Sequence, residues 1–186
     1  TRTTEPDIIW YDVNELAVIP AAGGEPRVLM AGLDRNVSGP SFGPGGRIWF
    51  VIEDSGERQL ARVAPDGRGL ERIVTGERVV SSPHLGPTGA VVMLMSAVHE
   101  PREVYALDGR APRRLTHVND DFLATLELGE VRNIHFRSED GTEVEGWLTL
   151  PPGYQAGTRY PTLLDIHGGP VAQFDWSFDF DSQLLA

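Results

Sequence analysis

Cysteine is absent from the chain. That excludes disulfide bonds and thiol chemistry, and it argues against a small secreted scaffold held by cross-links. Positive charge is scarce: 16 Lys and Arg stand against 27 Asp and Glu, a formal net charge of −11. Nucleic acid is therefore not an expected partner, because phosphate binding needs clustered Lys and Arg. The acidity instead suits cationic partners such as free amino termini. No apolar stretch approaches the roughly 18 residues that span a bilayer, and no signal-peptide pattern opens the chain. No membrane association is expected, and the expected location is the cytoplasm. Metal-ligand spacing is missing too. His84, His99, His117 and His135 form no His-x-His or His-x-x-x-His pair. Asp175, Asp179 and Asp181 lack the ligand spacing and the glycine of a calcium loop.

Glycine and proline are in excess. With Gly 21 and Pro 14, they make up roughly a fifth of the chain against a usual share of about 12%. There is no collagen period and no Ser/Gln tract, so the excess points to many tight turns joining many short strands. Hydrophobic residues at 40% are enough for a core.

The turns repeat. Phe42-Gly43-Pro44-Gly45-Gly46 returns as Leu85-Gly86-Pro87-Thr88-Gly89, and each is followed at once by an apolar run, Ile48–Ile52 and then Ala90–Met95. An alternating segment closed by Asp-Gly comes next, at Asp66-Gly67 and again at Asp108-Gly109. Short strands follow at Arg72–Thr75 and Arg113–Thr116, and a more degenerate copy ends at Arg27-Val28-Leu29. A period of about 40–45 residues with four short strands per unit is the signature of β-propeller blades. One blade cannot bury both its faces alone, so the apolar second strand of each unit should become core between stacked blades. Two blades are expected at about 37–76 and 77–117, and part of a third at about 8–36. A β-sandwich also shows short strands at regular spacing, but it does not repeat its turn chemistry at a fixed offset. Asn119-Asp120-Asp121 and the stretch from Phe122 to Gly129 break the repeat. After them, Val131–Arg137 and Thr142–Leu150 read as a hairpin turning on Asp140-Gly141.

The chain then carries Tyr160-Pro161-Thr162-Leu163-Leu164-Asp165-Ile166, an apolar run closed by His167-Gly168-Gly169-Pro170. The run reads as a short buried parallel strand. The glycines let the backbone turn sharply and leave N–H groups free to face a ligand. α/β-Hydrolases use such a strand end for half of an oxyanion hole; the plainer alternative is a turn without chemistry.

Taken with their flanks, these segments resemble the opening of the catalytic domain in the prolyl oligopeptidase family, in its acylaminoacyl-peptidase and dipeptidyl-aminopeptidase branch. The resemblance rests on the run from Ser138 through Gly146-Trp147 to Pro151-Pro152-Gly153-Tyr154, on Tyr160–Pro170, and on the tail Phe178–Ala186. It implies a mostly β chain: the last blades of a β-propeller over residues 1–125, followed by the first strands of an α/β-hydrolase domain over 126–186. It implies a serine peptidase acting on short peptides, without metal or organic cofactor. An esterase or amidase on the same scaffold and a non-catalytic propeller binding module remain as alternatives.

In that family the nucleophile sits in a Gly-x-Ser-x-Gly elbow, followed by Asp and then His. No such elbow occurs here. The expectation is a fragment without its triad and inactive alone, whose partners are the remainder of the catalytic domain and of the propeller. Ser182 lacks the flanking glycines to replace the nucleophile. Gly169, or Gly168 beside it, is expected to donate one oxyanion hydrogen bond. His167 precedes the elbow position, which makes it a loop-shaping residue rather than the base. Phe174 and Trp176 follow the loop directly, either lining the substrate pocket or packing as core.

Overall fold

The computed structural model describes residues 2–3, 13–169 and 172–186. Pro170 and the first residues of the degenerate repeat lie outside this set. In chain order, β1 (Arg2–Thr3) pairs with β2 (Asn14–Glu15), and β3 (Ala17–Val18) pairs with β4 (Arg27–Val28). Two antiparallel meanders follow. The first runs through β5 (Val37–Phe42), β6 (Ile48–Asp54), β7 (Glu57–Val63) and β8 (Glu71–Val74). The second runs through β9 (Val79–Leu85), β10 (Val91–Ala97), β11 (Glu100–Asp108) and β12 (Ala111–Arg114). A single parallel bridge, Arg58 to Val79, joins them. Helix α1 (Asp120–Leu123), the hairpin β13 (Val131–Arg137) with β14 (Glu143–Thr149), and helix α2 (Phe180–Leu185) complete the chain. No helix among the described residues is long and apolar enough to cross a membrane.

The repeated turns share their hydrogen bonds, although Gly45 takes φ 71° and its counterpart Thr88 does not have positive φ. Gly43 N donates to Arg47 O at 2.9 Å and Gly46 N to Gly43 O at 3.1 Å. Gly86 N donates to Ala90 O at 2.7 Å and Gly89 N to Gly86 O at 3.0 Å. Gly46 and Gly89 take φ of 70° and 91°, where a side chain is strained. The hairpin turn behaves as its sequence suggests: Gly141 has φ 85°, and Asp140 Oδ1 accepts from Thr142 N at 2.9 Å.

Burial follows strand alternation. From β6, Ile48, Phe50 and Ile52 pack with Ala61 and Val63 against Leu16, Leu29 and Val37. Trp49, on the opposite face of β6, packs with Leu60, Ile73 and Val74 against Val80, Val91, Met93 and Met95 of the second meander. An entire apolar strand is thus core because both its faces are covered. On β10 the apolar residues alternate, Val91, Met93 and Met95 buried and Val92 and Leu94 half-buried on the far face, where Ser96 is buried as well.

One sequence expectation fails. Tyr160–Ile166 is not a buried strand: among the described residues it has no strand partner, and Leu163, Leu164 and Ile166 are 72%, 84% and 76% exposed. A parallel strand needs neighbours at its edges and covering elements on its faces. Among the described residues, β13 and β14 pair only with each other and α2 is a short helix. The run therefore has no strand partner among the described residues.

Candidate active-site loop

The loop grows out of β14. Leu150 is buried and its N–H donates to Glu130 O at 2.8 Å, fixing where the hairpin ends. Pro151-Pro152-Gly153 then turns the chain, with Tyr154 N donating to Pro151 O at 3.0 Å. The Tyr154 and Tyr160 rings lie 5.4 Å apart, and the Tyr160 hydroxyl accepts from Gln155 N at 3.0 Å. Residues 161–169 are exposed.

Within this loop His167 Nδ1 donates to Gly168 O at 2.9 Å, a local bond that shapes the backbone. Its ring meets Phe174 edge-on at 5.5 Å. No atom lies within 4 Å of where a Cβ on Gly168 would stand. The backbone here is bare and open, and a bare N–H can serve a ligand only if something holds it in place.

The following segment is tethered. Trp176 N donates to Gly56 O at 2.9 Å, and Phe178 N donates to Ser96 Oγ at 3.0 Å. Asp175 Oδ1 accepts from Ser177 N at 3.1 Å, while its other oxygen lies 3.5 Å from Arg58 Nε. Phe174 and Trp176 are both half-buried, but they face different neighbours. Phe174 stays beside His167, whereas Trp176 packs edge to face on Trp147 at 5.9 Å. Of the remaining acidic residues, Asp179 caps α2, accepting from Asp181 N at 3.1 Å and from Ser182 Oγ. Ser182 is thereby committed to a helix cap.

Several residues at this junction carried no functional signal in the sequence. Gly129 N donates to Gln183 Oε1 at 2.7 Å, and the Gly129 carbonyl accepts from Gln183 Nε2 at 3.1 Å and from His99 Nε2 at 2.8 Å. Glu103, on β11 of the second meander, is fully buried. Its carboxylate accepts from Thr116 Oγ1, from Asn119 N at 3.2 Å and from Arg114, whose NH2 lies 3.1 Å away. Burial pushes its pKa up, but these donors outweigh that and hold it below the usual carboxylate value. The cluster fastens the second meander to the crossing segment that leads to the hairpin.

No family model matches the chain. It is 34% identical over 87 residues, 46% of its length, to the uncharacterized peptidase YuxL of Bacillus subtilis. It is 25% identical over 185 residues, 94% of its length, to a probable dipeptidyl-peptidase 5 of Aspergillus niger. The chain spans 13% of the first relative and 25% of the second. Among solved structures, an acylaminoacyl peptidase of Pyrococcus horikoshii superposes with a TM-score of 0.75 at 25% identity, covering 88% of this chain and 25% of that one. By sequence and fold the chain is similar to parts of these peptidases, in line with its resemblance to the prolyl oligopeptidase family.

Proposed function

We propose that the two meanders are consecutive blades of a β-propeller occupying residues 1–125, and that residues 126–186 begin an α/β-hydrolase domain. On this reading the chain contributes half of an oxyanion hole to a serine peptidase that hydrolyses short peptides. The observation that carries it is the exposed His167-Gly168-Gly169 backbone, open at Gly168 and flanked by a tethered segment. As the nucleophile adds to the scissile carbonyl carbon, negative charge gathers on the carbonyl oxygen. The Gly169 amide, with Gly168 beside it, donates to that oxygen. Such a donor acts on charge present only in the transition state. The serine, the aspartate and the histidine base lie outside these 186 residues, and neither metal nor organic cofactor takes part. His167, bonded to its own loop, shapes that loop. Phe174 lines the pocket wall beside it, while the packing of Trp176 against Trp147 favours a structural role for that ring. The names of the relatives, a dipeptidyl-peptidase and an acylaminoacyl peptidase, support a peptide substrate.

The test is made on the whole protein. Peptide amides should be turned over faster than simple esters; the reverse order would favour an esterase. Gly169→Val should lower kcat by about 10²–10³ with little change in substrate binding. A folded Gly169→Val enzyme with unchanged kcat would remove Gly169 from the site. The 186-residue chain alone should resist labelling by an active-site serine phosphonate.

A further inference from the structure

We propose that Arg58 and Ser96, both on the stacked meanders, are positioning residues for the His167–Gly169 loop. They act through the segment Phe174–Phe178. The inference rests on the reading that the Gly168 and Gly169 amides face a scissile carbonyl, and it adds what holds them there.

Ser96 is 3% exposed and its hydroxyl both gives and takes a hydrogen bond: it donates to Glu100 O at 2.8 Å and accepts from Phe178 N at 3.0 Å. It stands where the β10–β11 pairing shifts register between Met95 and Ala97. Such bulges re-aim a side chain out of the regular ladder, and here the hydroxyl reaches a residue 82 positions away. Arg58, on β7, faces two carboxylates, Glu53 and Asp175, each 3.5 Å from Nε. Asp175 is itself oriented by Ser177 N. Between these two anchors, Trp176 N bonds Gly56 O. Two backbone hydrogen bonds, at Trp176 and Phe178, and one ion pair at the Asp175 side chain tie this segment to the meanders. Phe174 is covalently next to the first tie, and its ring meets the His167 ring at 5.5 Å. The path therefore runs from the meanders, through a pinned segment, to the glycine loop. That loop lies exposed, and its neighbouring segment supplies this packing. Small displacements of a catalytic donor are costly, on the order of 10²-fold in rate for about 1 Å.

Ser96→Ala and Arg58→Gln in the whole protein test this. Hydrogen–deuterium exchange is followed at residues 164–169 and 174–178, together with kcat and KM on a peptide amide. The expected result is exchange about tenfold faster in both segments and kcat at least about tenfold lower, with KM little changed. Faster exchange confined to 174–178, with residues 164–169 as in the parent, overturns the proposal. If Ser96→Ala does not fold, Asp175→Asn takes its place, since it removes the charge facing Arg58 outside the buried core. Exchange needs no turnover, so the two readings separate. A protein that cleaves no peptide, yet whose glycine loop loosens in the variants, defeats the peptidase reading and upholds the tether.

Discussion

Trp147 and Trp176 meet edge to face, centroids 5.9 Å apart and planes at 82°, against the Ser55-Gly56 turn of the first meander. The turn is a two-residue hairpin loop with φ of 51° at Ser55 and 74° at Gly56. Positive φ at both central residues matches the twist of the flanking strands. A Cβ on Gly56 would stand 2.5 Å from the Trp147 ring. The absence of a side chain is what lets the two indoles close over the turn.

Gly56→Ala should therefore cost more than about 2 kcal/mol, from left-handed backbone strain and ring displacement together. Chemical denaturation followed by tryptophan fluorescence reads both the midpoint and the loss of indole packing. A variant as stable as the parent, with unchanged emission, would show that the rings do not close on Gly56.

Gly46→Ala and Gly89→Ala form a matched pair. Both sites have positive φ, and a new methyl meets nothing at Gly46 and only ordinary contact with Pro44 at Gly89. The cost should be conformational and similar, about 1–2 kcal/mol each. Denaturation midpoints check this; a several-fold difference would mean that the two turns are not equivalent.

The sequence made this equivalence readable because backbone geometry demanded the same residues in both copies. The apolar run Ile48–Ile52 was legible for a related reason, since packing covers both faces of its strand, whereas Val92 and Leu94 on β10 are only half-buried. Tyr160–Ile166 carries the same apolar signal and is mostly exposed. Composition reports that a segment can be buried, and neighbours decide whether it is. The ties from Ser96 to Phe178 and from Gly129 to Gln183 had no sequence signal at all. They join residues 82 and 54 positions apart through one hydroxyl and one amide. His167-Gly168-Gly169 was legible as a motif, while what surrounds it became visible only in three dimensions.

Phe50→Ala and Leu164→Ala separate those two kinds of apolar residue in the 186-residue chain. Phe50 is 0% exposed between two layers, so truncation should cost about 3–5 kcal/mol. Leu164 is 84% exposed, and its truncation should stay within about 0.5 kcal/mol. Equal destabilisation in urea titrations would place Leu164 in a packed core.

Glu103 gives a pH dependence whose sign is fixed. Its folded pKa lies below the ordinary 4.5, so the unfolded chain takes up the proton first as pH falls. The stabilisation is present above about 4.5 and is lost as pH drops through the folded value. Glu103→Gln should lower stability near neutrality by about 1–3 kcal/mol. The gap to the parent should narrow below pH 4.5 in thermal melts, and a constant gap across that range would contradict the ionised, donor-bound carboxylate.

Apart from the Arg58–Val79 bridge, every strand pair within the two meanders joins neighbours in the chain. Contacts of such short sequence separation close at low entropic cost, which favours rapid formation of each meander by itself. During synthesis the first meander can zip as soon as β8 has emerged, and the second then condenses onto the exposed Trp49 face. The Gly56 turn is thus finished before Trp147 and Trp176 exist. It waits as a preformed seat for whatever the ribosome delivers next.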